Sequence, residues 1–214
     1  MNGYISRILF SSLTCLLIIF WLAGCASKKP KPPPDPPLQP DASTLPSSAP
    51  ITANQPQDVK WTFEPKAITL NIYSNKNLNS YQDYQHSLMI CIYQLNDQNK
   101  FLQINQTSDG LEKLLECNAF DPSAVGFQRL FIQPGQNQSV VMDRLEGAQH
   151  IGIVAGYADL SPANASKAYQ IPIAQAKHGM MFRKKTMYWA GQLTLNIYLD
   201  TQSIQRIEGA ADAQ

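Results

Sequence analysis

Proline decides how much of this chain can pack. Ten of its 15 prolines fall within residues 26–58, most of them in KKPKPPPDPPLQPDASTLPSSAP. A segment this poor in apolar side chains and backbone donors cannot build a core. Its prolines favour extended polyproline II, which rises about 3.1 Å per residue, so Pro30–Pro40 alone reaches about 34 Å. The expected role is a disordered spacer. Lys28, Lys29 and Lys31 sit at its start.

The 25 residues before the spacer are read as processing signal rather than fold. Arg7 is their only charge, and an apolar run from Ile8 to Leu22 follows. That run matches a signal-peptide core and is short for a membrane-spanning helix of about 20 apolar residues. It ends in Leu22-Ala23-Gly24-Cys25, which resembles the lipobox of bacterial lipoproteins. The resemblance implies cleavage before Cys25 and lipidation of its sulfur, with acyl chains of the palmitate class. Three acyl chains exceed the two signals that stable anchoring needs. Ala26 and Ser27 follow the cysteine, without the Asp common in lipoproteins kept at the inner membrane, so the outer membrane is the expected address.

The divisions expected are therefore 1–24 signal peptide, 25–58 lipidated cysteine and tether, 59–208 folded domain, and 209–214 tail. The domain has roughly 150 residues, an ordinary size. Ile68, Leu70 and Ile72 alternate with Thr69, Asn71 and Tyr73, the period of a half-buried strand. Leu193, Leu195, Ile197 and Leu199 alternate with Thr194, Asn196, Tyr198 and Asp200 in the same way. Leu88–Leu95 (LMICIYQL) is almost continuously apolar, as in a central strand, and Ile151, Ile153, Ala155 and Tyr157 share one face of another. Phe127–Gln133 and Ser139–Leu145 flank the turn signal Pro134-Gly135-Gln136-Asn137 and are expected to pair as a hairpin. A capping box starting at Asp109 predicts a helix with Leu111, Leu114 and Leu115 on one face. A short helical stretch can also form between Ser161 and Ala168. The expected fold is mainly β: an antiparallel two-sheet β-sandwich with a small helical insertion. Thr69-Leu-Asn-Ile-Tyr73 recurs as Thr194-Leu-Asn-Ile-Tyr198, either as a duplicated unit or as two strands built to one alternation.

The residues that carry chemistry are sparse. The formal charge is +1, from 17 Lys+Arg and 16 Asp+Glu, which leaves no electrostatic footprint for nucleic acid. His86, His150 and His178 lack metal-ligand spacing, so no metal or cofactor is expected. Neither a Gly-x-Ser-x-Gly elbow nor a phosphate-binding glycine loop occurs. Asp143 and Asp159 read as solvated strand or turn residues, and no catalytic residues are assigned. Arg183-Lys184-Lys185 reads as a solvated loop first and a site for an acidic or lipid partner second. Cys91 and Cys117 can pair in an oxidising compartment, and two buried thiols fit the sequence equally well.

The order of these features resembles the outer-membrane lipoproteins of type VI secretion systems, the TssJ/SciN family. The features are the lipobox, Leu70-Asn71-Ile72-Tyr73, Tyr93-Gln94-Leu95 with Phe101, the Leu111/Leu114/Leu115 helix, Ile132-Gln133-Pro134-Gly135, and Ile153–Asp159. Ala158 stands where the family commonly has Arg. The resemblance implies a transthyretin-like sandwich without enzymatic activity. It also implies binding to the periplasmic domain of a large inner-membrane secretion subunit. The implied contact is the loop Ser74–His86, where Leu78, Asn79, Tyr81, Gln82 and Tyr84 are the expected partner-binding residues. Leu78, Tyr81 and Tyr84 are spaced three apart, so a helical turn would gather them into one apolar patch, with packing of the tyrosines onto their own domain as the alternative. Another envelope machine, or a periplasmic small-ligand carrier on the same scaffold, is the alternative. A carrier requires an apolar pocket with convergent polar groups.

Overall fold

The computed structural model describes residues 50–180 and 183–211. The signal peptide, Cys25 and most of the tether lie outside the described residues. The alternating segment Glu64–Ser74 forms strand β1, with Ile68, Leu70 and Ile72 fully buried. Leu88–Leu95 forms β2 and is buried almost throughout. Further strands are Ala124–Ile132 (β3), Asn137–Arg144 (β4), His150–Ala155 (β5) and Ser166–Gln170 (β6). Ile173–His178 (β7), Lys185–Ala190 (β8), Leu193–Leu199 (β9) and Ile204–Ala211 (β10) complete the set. They make two four-stranded sheets, β10-β9-β1-β4 and β3-β2-β5-β6, and a separate β7-β8 hairpin. The protein is a mainly β two-sheet sandwich, as expected.

The near-continuous apolar run of β2 has a two-sided explanation. Leu88, Ile90 and Ile92 pack between the sheets with Ile68, Leu70, Ile72, Ile153, Leu195 and Ile197. Cys91, Tyr93 and Leu95 point the other way, where two helices cover them. These helices are Asn99–Ile104 (α1), which the sequence reading missed, and Ser108–Leu115 (α2). Phe101 of α1 and Leu111 and Leu114 of α2 are fully buried there. Gly152 admits Phe101, since a Cβ at that position would lie 2.7 Å from the ring. The cap of α2 is Thr107 rather than Asp109, its side chain accepting from Gly110 N at 3.1 Å. The stretch after Ser161 yields only the short helix Pro162–Ala165 (α3) before β6 begins.

Two expectations about pairing are corrected. β3 and β4 do not form a hairpin: β3 pairs with β2, and β4 with β1 in the opposite sheet. The Gln133–Gln136 turn closes with a Gln136 N–H to Gln133 O bond of 3.2 Å, and Gly135 has φ 71°. Proline followed by a left-handed glycine is type II chemistry, which splays strands instead of matching their twist. The chain therefore arches from one sheet to the other. In addition, the sheets are not wholly antiparallel, because β1 and β9 run parallel.

The fold also reaches past the expected domain limits. Ala53 bridges to Tyr188 of β8 through bonds of 2.7 and 3.0 Å, and β10 continues to Ala211. Cys91 and Cys117 form a disulfide, with Cα atoms 5.6 Å apart, tying β2 to the end of α2.

Candidate partner-binding site

The loop Ser74–His86 leaves the sandwich where β1 and β9 end. Its base is fixed by backbone bonds: Asn75 N–H to Leu199 O at 2.9 Å and Ser80 N–H to Thr201 O at 3.1 Å. Asn75 Nδ2 adds a 2.7 Å bond to Asp200. Leu78 is fully buried in the inter-sheet core, so it does not join an exposed patch as expected. An aliphatic side chain next to an open core loses more water by turning inward than by staying with two tyrosines. Asn79 is also buried, with φ 47°. Its Oδ1 accepts from Ala158 N at 2.8 Å and its Nδ2 donates to Ser87 O at 3.2 Å. The amide thus fastens the loop to the segment after β5, and asparagine tolerates the left-handed conformation. These two positions act as supports.

The tip is different. Tyr81 and Tyr84 exchange backbone bonds of 2.9 and 3.1 Å around Gln82 and Asp83, whose φ values are 50° and 65°. Two consecutive left-handed residues define a type I′ turn, which normally takes Asn-Gly. Neither residue here is glycine, so the tip holds backbone strain of the kind concentrated at functional positions. Directly opposed residues of such a pair place their side chains on one face. Tyr81 is 54% exposed and Tyr84 71%. Helical spacing was the expected cause of their proximity, and a tight hairpin achieves it instead. Gln82 is exposed between them, its Nε2 donating to the Tyr81 hydroxyl at 3.3 Å. The Gln-Asp pair gave no turn signal, and this feature was missed for that reason.

Beside the loop lies a shallow groove of about 210 Å3, lined by Tyr73, Asn75, Tyr198, Asp200 and Gln205 among others. It is below the usual 300–1,000 Å3 of ligand sites. The space between the sheets, where a carrier would hold its ligand, is filled by the aliphatic core. Tyr157 donates to Ser203 O at 2.7 Å, and burial pushes its hydroxyl pKa upward. It closes the core beneath the loop. Among the described residues no cluster of three or more His, Cys, Asp or Glu could hold a metal ion. No described helix is long and apolar enough to cross a membrane.

Among solved structures the chain is similar to the type VI secretion lipoprotein TssJ1 from Pseudomonas aeruginosa. That likeness has 19% identity and a TM-score of 0.48, covering 69% of this chain and 98% of that one. It is similar to Serratia marcescens Lip, a membrane-bound component of the type VI secretion system, at 13% identity and TM-score 0.49, covering 70% and 100%. A chain from the structure of the TssM C-terminal domain from EAEC is also similar, at 14% identity and TM-score 0.46, covering 67% and 97%. No curated protein sequence matches. The family described as type VI secretion lipoprotein (VasD, EvfM, TssJ, VC_A0113) matches residues 66–201, and the chain belongs to that family.

Proposed function

We propose that this protein is the outer-membrane-anchored lipoprotein subunit of a type VI trans-envelope complex. Its sandwich binds the periplasmic domain of a large inner-membrane subunit through the 74–86 loop. The observation that carries the reading is the family match over residues 66–201. The loop geometry supports the contact: a buried base at Leu78 and Asn79 holds a strained tip with two exposed tyrosines. Tyrosine is a favoured interface anchor, and pre-ordering the tip lowers the entropy lost on binding. In this reading Cys25 carries the lipid, and the proline-rich segment spans the distance from the membrane to Ala53. The function is architectural rather than catalytic.

Affinity capture from envelope extracts tests this reading. The wild-type lipoprotein should retain the large inner-membrane subunit and fractionate with outer membranes. Cys25→Ser should release a folded domain into the periplasm and abolish secretion. Full secretion by the soluble variant would overturn the anchoring role.

A further inference from the structure

The β7–β8 hairpin stands apart from both sheets of the sandwich and pairs only with itself and Ala53 among the described residues. Its outer half is exposed: Gln175, Ala176, Lys177 and His178 on one strand, and Arg183, Lys184 and Lys185 on the return. Met180 at the turn is 85% exposed, the most exposed large hydrophobic side chain among the described residues. Lys177, Arg183, Lys184 and Lys185 bring four positive charges to this end, and no acidic residue occurs between Asp159 and Asp200. The chain as a whole is near neutral, so this is a local concentration of charge.

The position of the hairpin matters as much as its charge. Gly191 N–H bonds Pro172 O at 2.8 Å across the hairpin base, immediately before β9 starts at Leu193. The tyrosine-bearing loop is fastened at the other end of β9, through Leu199 O. At about 3.3 Å per residue the hairpin base and the loop base lie at opposite ends of β9, roughly 20 Å apart along that strand. Ala53, where the chain arrives from the tether, is bonded to Tyr188. Tyr188 is three residues from Lys185 on β8, roughly 10 Å. The tether therefore joins the fold on the cationic hairpin.

We infer that the exposed outer half of the β7–β8 hairpin, over its described residues 175–180 and 183–185, docks on an anionic phospholipid bilayer. Lys177, Arg183, Lys184 and Lys185 meet headgroup phosphates, and Met180 enters the boundary between headgroups and acyl chains. Charge complementarity and the arrival of the tether at the same pole select a membrane over an acidic protein as the occupant. Docking would turn the domain so that Tyr81 and Tyr84 face away from the lipid. A flexible tether alone fixes only the reach of the domain, whereas a second, cationic contact also fixes its orientation. Each cation near an anionic surface is worth about fivefold in affinity, and the effect falls with salt.

The test uses the mature chain with Cys25→Ser, so that neither the anchor nor the secretion partner takes part. Failure here would leave the proposed secretion role standing. The chain is sedimented with phosphatidylcholine vesicles, with and without about one-third phosphatidylglycerol. Binding should require phosphatidylglycerol and weaken as salt is raised. R183S/K184S/K185S should lose affinity about a hundredfold with an unchanged melting temperature. K184E alone provides a milder variant in case the triple change disturbs folding, and should still lose more than fivefold. Equal binding to both vesicle types, equal binding by these variants, or retention on immobilised polyglutamate without vesicle binding would each overturn the inference.

Discussion

Asn71 donates its Nδ2 to Oδ1 of Asn196 at 3.0 Å, each residue at the centre of one copy of Thr-Leu-Asn-Ile-Tyr. The two copies lie side by side, parallel and in register from Thr69↔Thr194 to Tyr73↔Tyr198. Identical side chains therefore meet their own kind: leucine and isoleucine inward, asparagine and tyrosine outward. Tyr73 and Tyr198 stack with centroids 4.9 Å apart, and Arg206 caps the Tyr198 ring at 4.0 Å. The ladder resembles the like-on-like stacking of cross-β assemblies, here closed inside one chain. Ser139 Oγ adds a 2.9 Å bond to Asn71 Oδ1.

This ladder predicts coupling. Asn71→Ala should cost about 1–2 kcal/mol, because two bonds are lost. Asn196→Ala should cost about 1 kcal/mol. A double-mutant cycle by urea unfolding should give a coupling of about 0.5–1 kcal/mol between them. Strict additivity would mean the asparagines contribute independently.

Arg144 should be the most sensitive charged residue. It is 2% exposed and reaches Thr62 O, Gly191 O at 2.9 Å and Glu64 Oε2 at 2.7 Å. It thus joins the segment before β1 to the base of the β7–β8 hairpin, with Trp61 stacked against it. Arg144→Ala should cost about 3–5 kcal/mol in chemical denaturation, since several acceptors lose their partner at once. Arg144→Lys should recover only part, because an ammonium cannot span the same fork. Glu64→Gln should matter far less, as Glu64 is 34% exposed. An Arg144→Ala variant as stable as the wild type would remove this clamp.

The regular segments could be read because their pattern is their burial: β1 and β9 fall where apolar residues recur at every second place, and β2 where they run almost unbroken because both its faces are covered. Partner choice could not be read that way. Ala124–Ile132 and Asn137–Arg144 look like a hairpin by sequence spacing, yet Pro134-Gly135 sets a type II turn that sends them to opposite sheets. Helix α1 was missed because Phe101 is its only buried residue, too few for a periodic signal. β7 and β8 were missed because their burial does not alternate: β7 runs from half-buried to exposed, and β8 is half-buried along most of its length. At the candidate site, Tyr81 and Tyr84 were legible as aromatics in a polar loop. The burial of Leu78 was not, since one leucine carries no direction until the strands beside it are placed.

The Cys91–Cys117 bond closes a 26-residue separation. Chain-entropy reasoning gives roughly 3.5 kcal/mol for a loop of that length. A Cys91→Ser/Cys117→Ser variant should lose about that much stability, read by thermal or urea unfolding. It should release α2 before the sandwich, since the polar ties left at the helix end are only Tyr93 Oη to Leu114 O at 2.6 Å and Arg129 Nη2 to Glu116 O among the described residues. Hydrogen exchange should therefore rise first in 108–117. Uniform exchange across the domain would refute that order.

His150 gives the domain a pH dependence of known sign. Burial lowers its pKa below the ordinary 6.5, partly opposed by Asp97, and its buried Nδ1 has no hydrogen-bond partner among the described residues. The unfolded chain therefore binds this proton more readily. Stability should be complete above pH 6.5 and fall as the pH drops from there towards the folded-state value. His150→Gln should remove this component of the slope between pH 7 and 5. Asp121 is held below its ordinary value by the Ser123 backbone N–H, so its loss belongs to a separate window below pH 4. An unchanged slope in the His150 variant would assign the dependence elsewhere.

The loop Ser74–His86 should divide into two halves that respond oppositely. Leu78→Ala removes a fully buried side chain and should cost about 2–5 kcal/mol of stability. Tyr81→Ala/Tyr84→Ala removes two exposed rings and should barely move the melting temperature. The same double variant should weaken binding to the periplasmic domain of the inner-membrane subunit about 30-fold, the loss of one interface anchor of about 2 kcal/mol. Asp83→Gly offers a third reading, because it relieves a left-handed residue at φ 65° without touching either ring. It should raise stability by about 1 kcal/mol and leave affinity near the wild type. Calorimetry on all three variants, for unfolding and for binding, tests the division directly. Wild-type affinity in the tyrosine double variant would take this tip out of the interface. A large fall in its melting temperature would mean the rings pack the domain rather than await a partner.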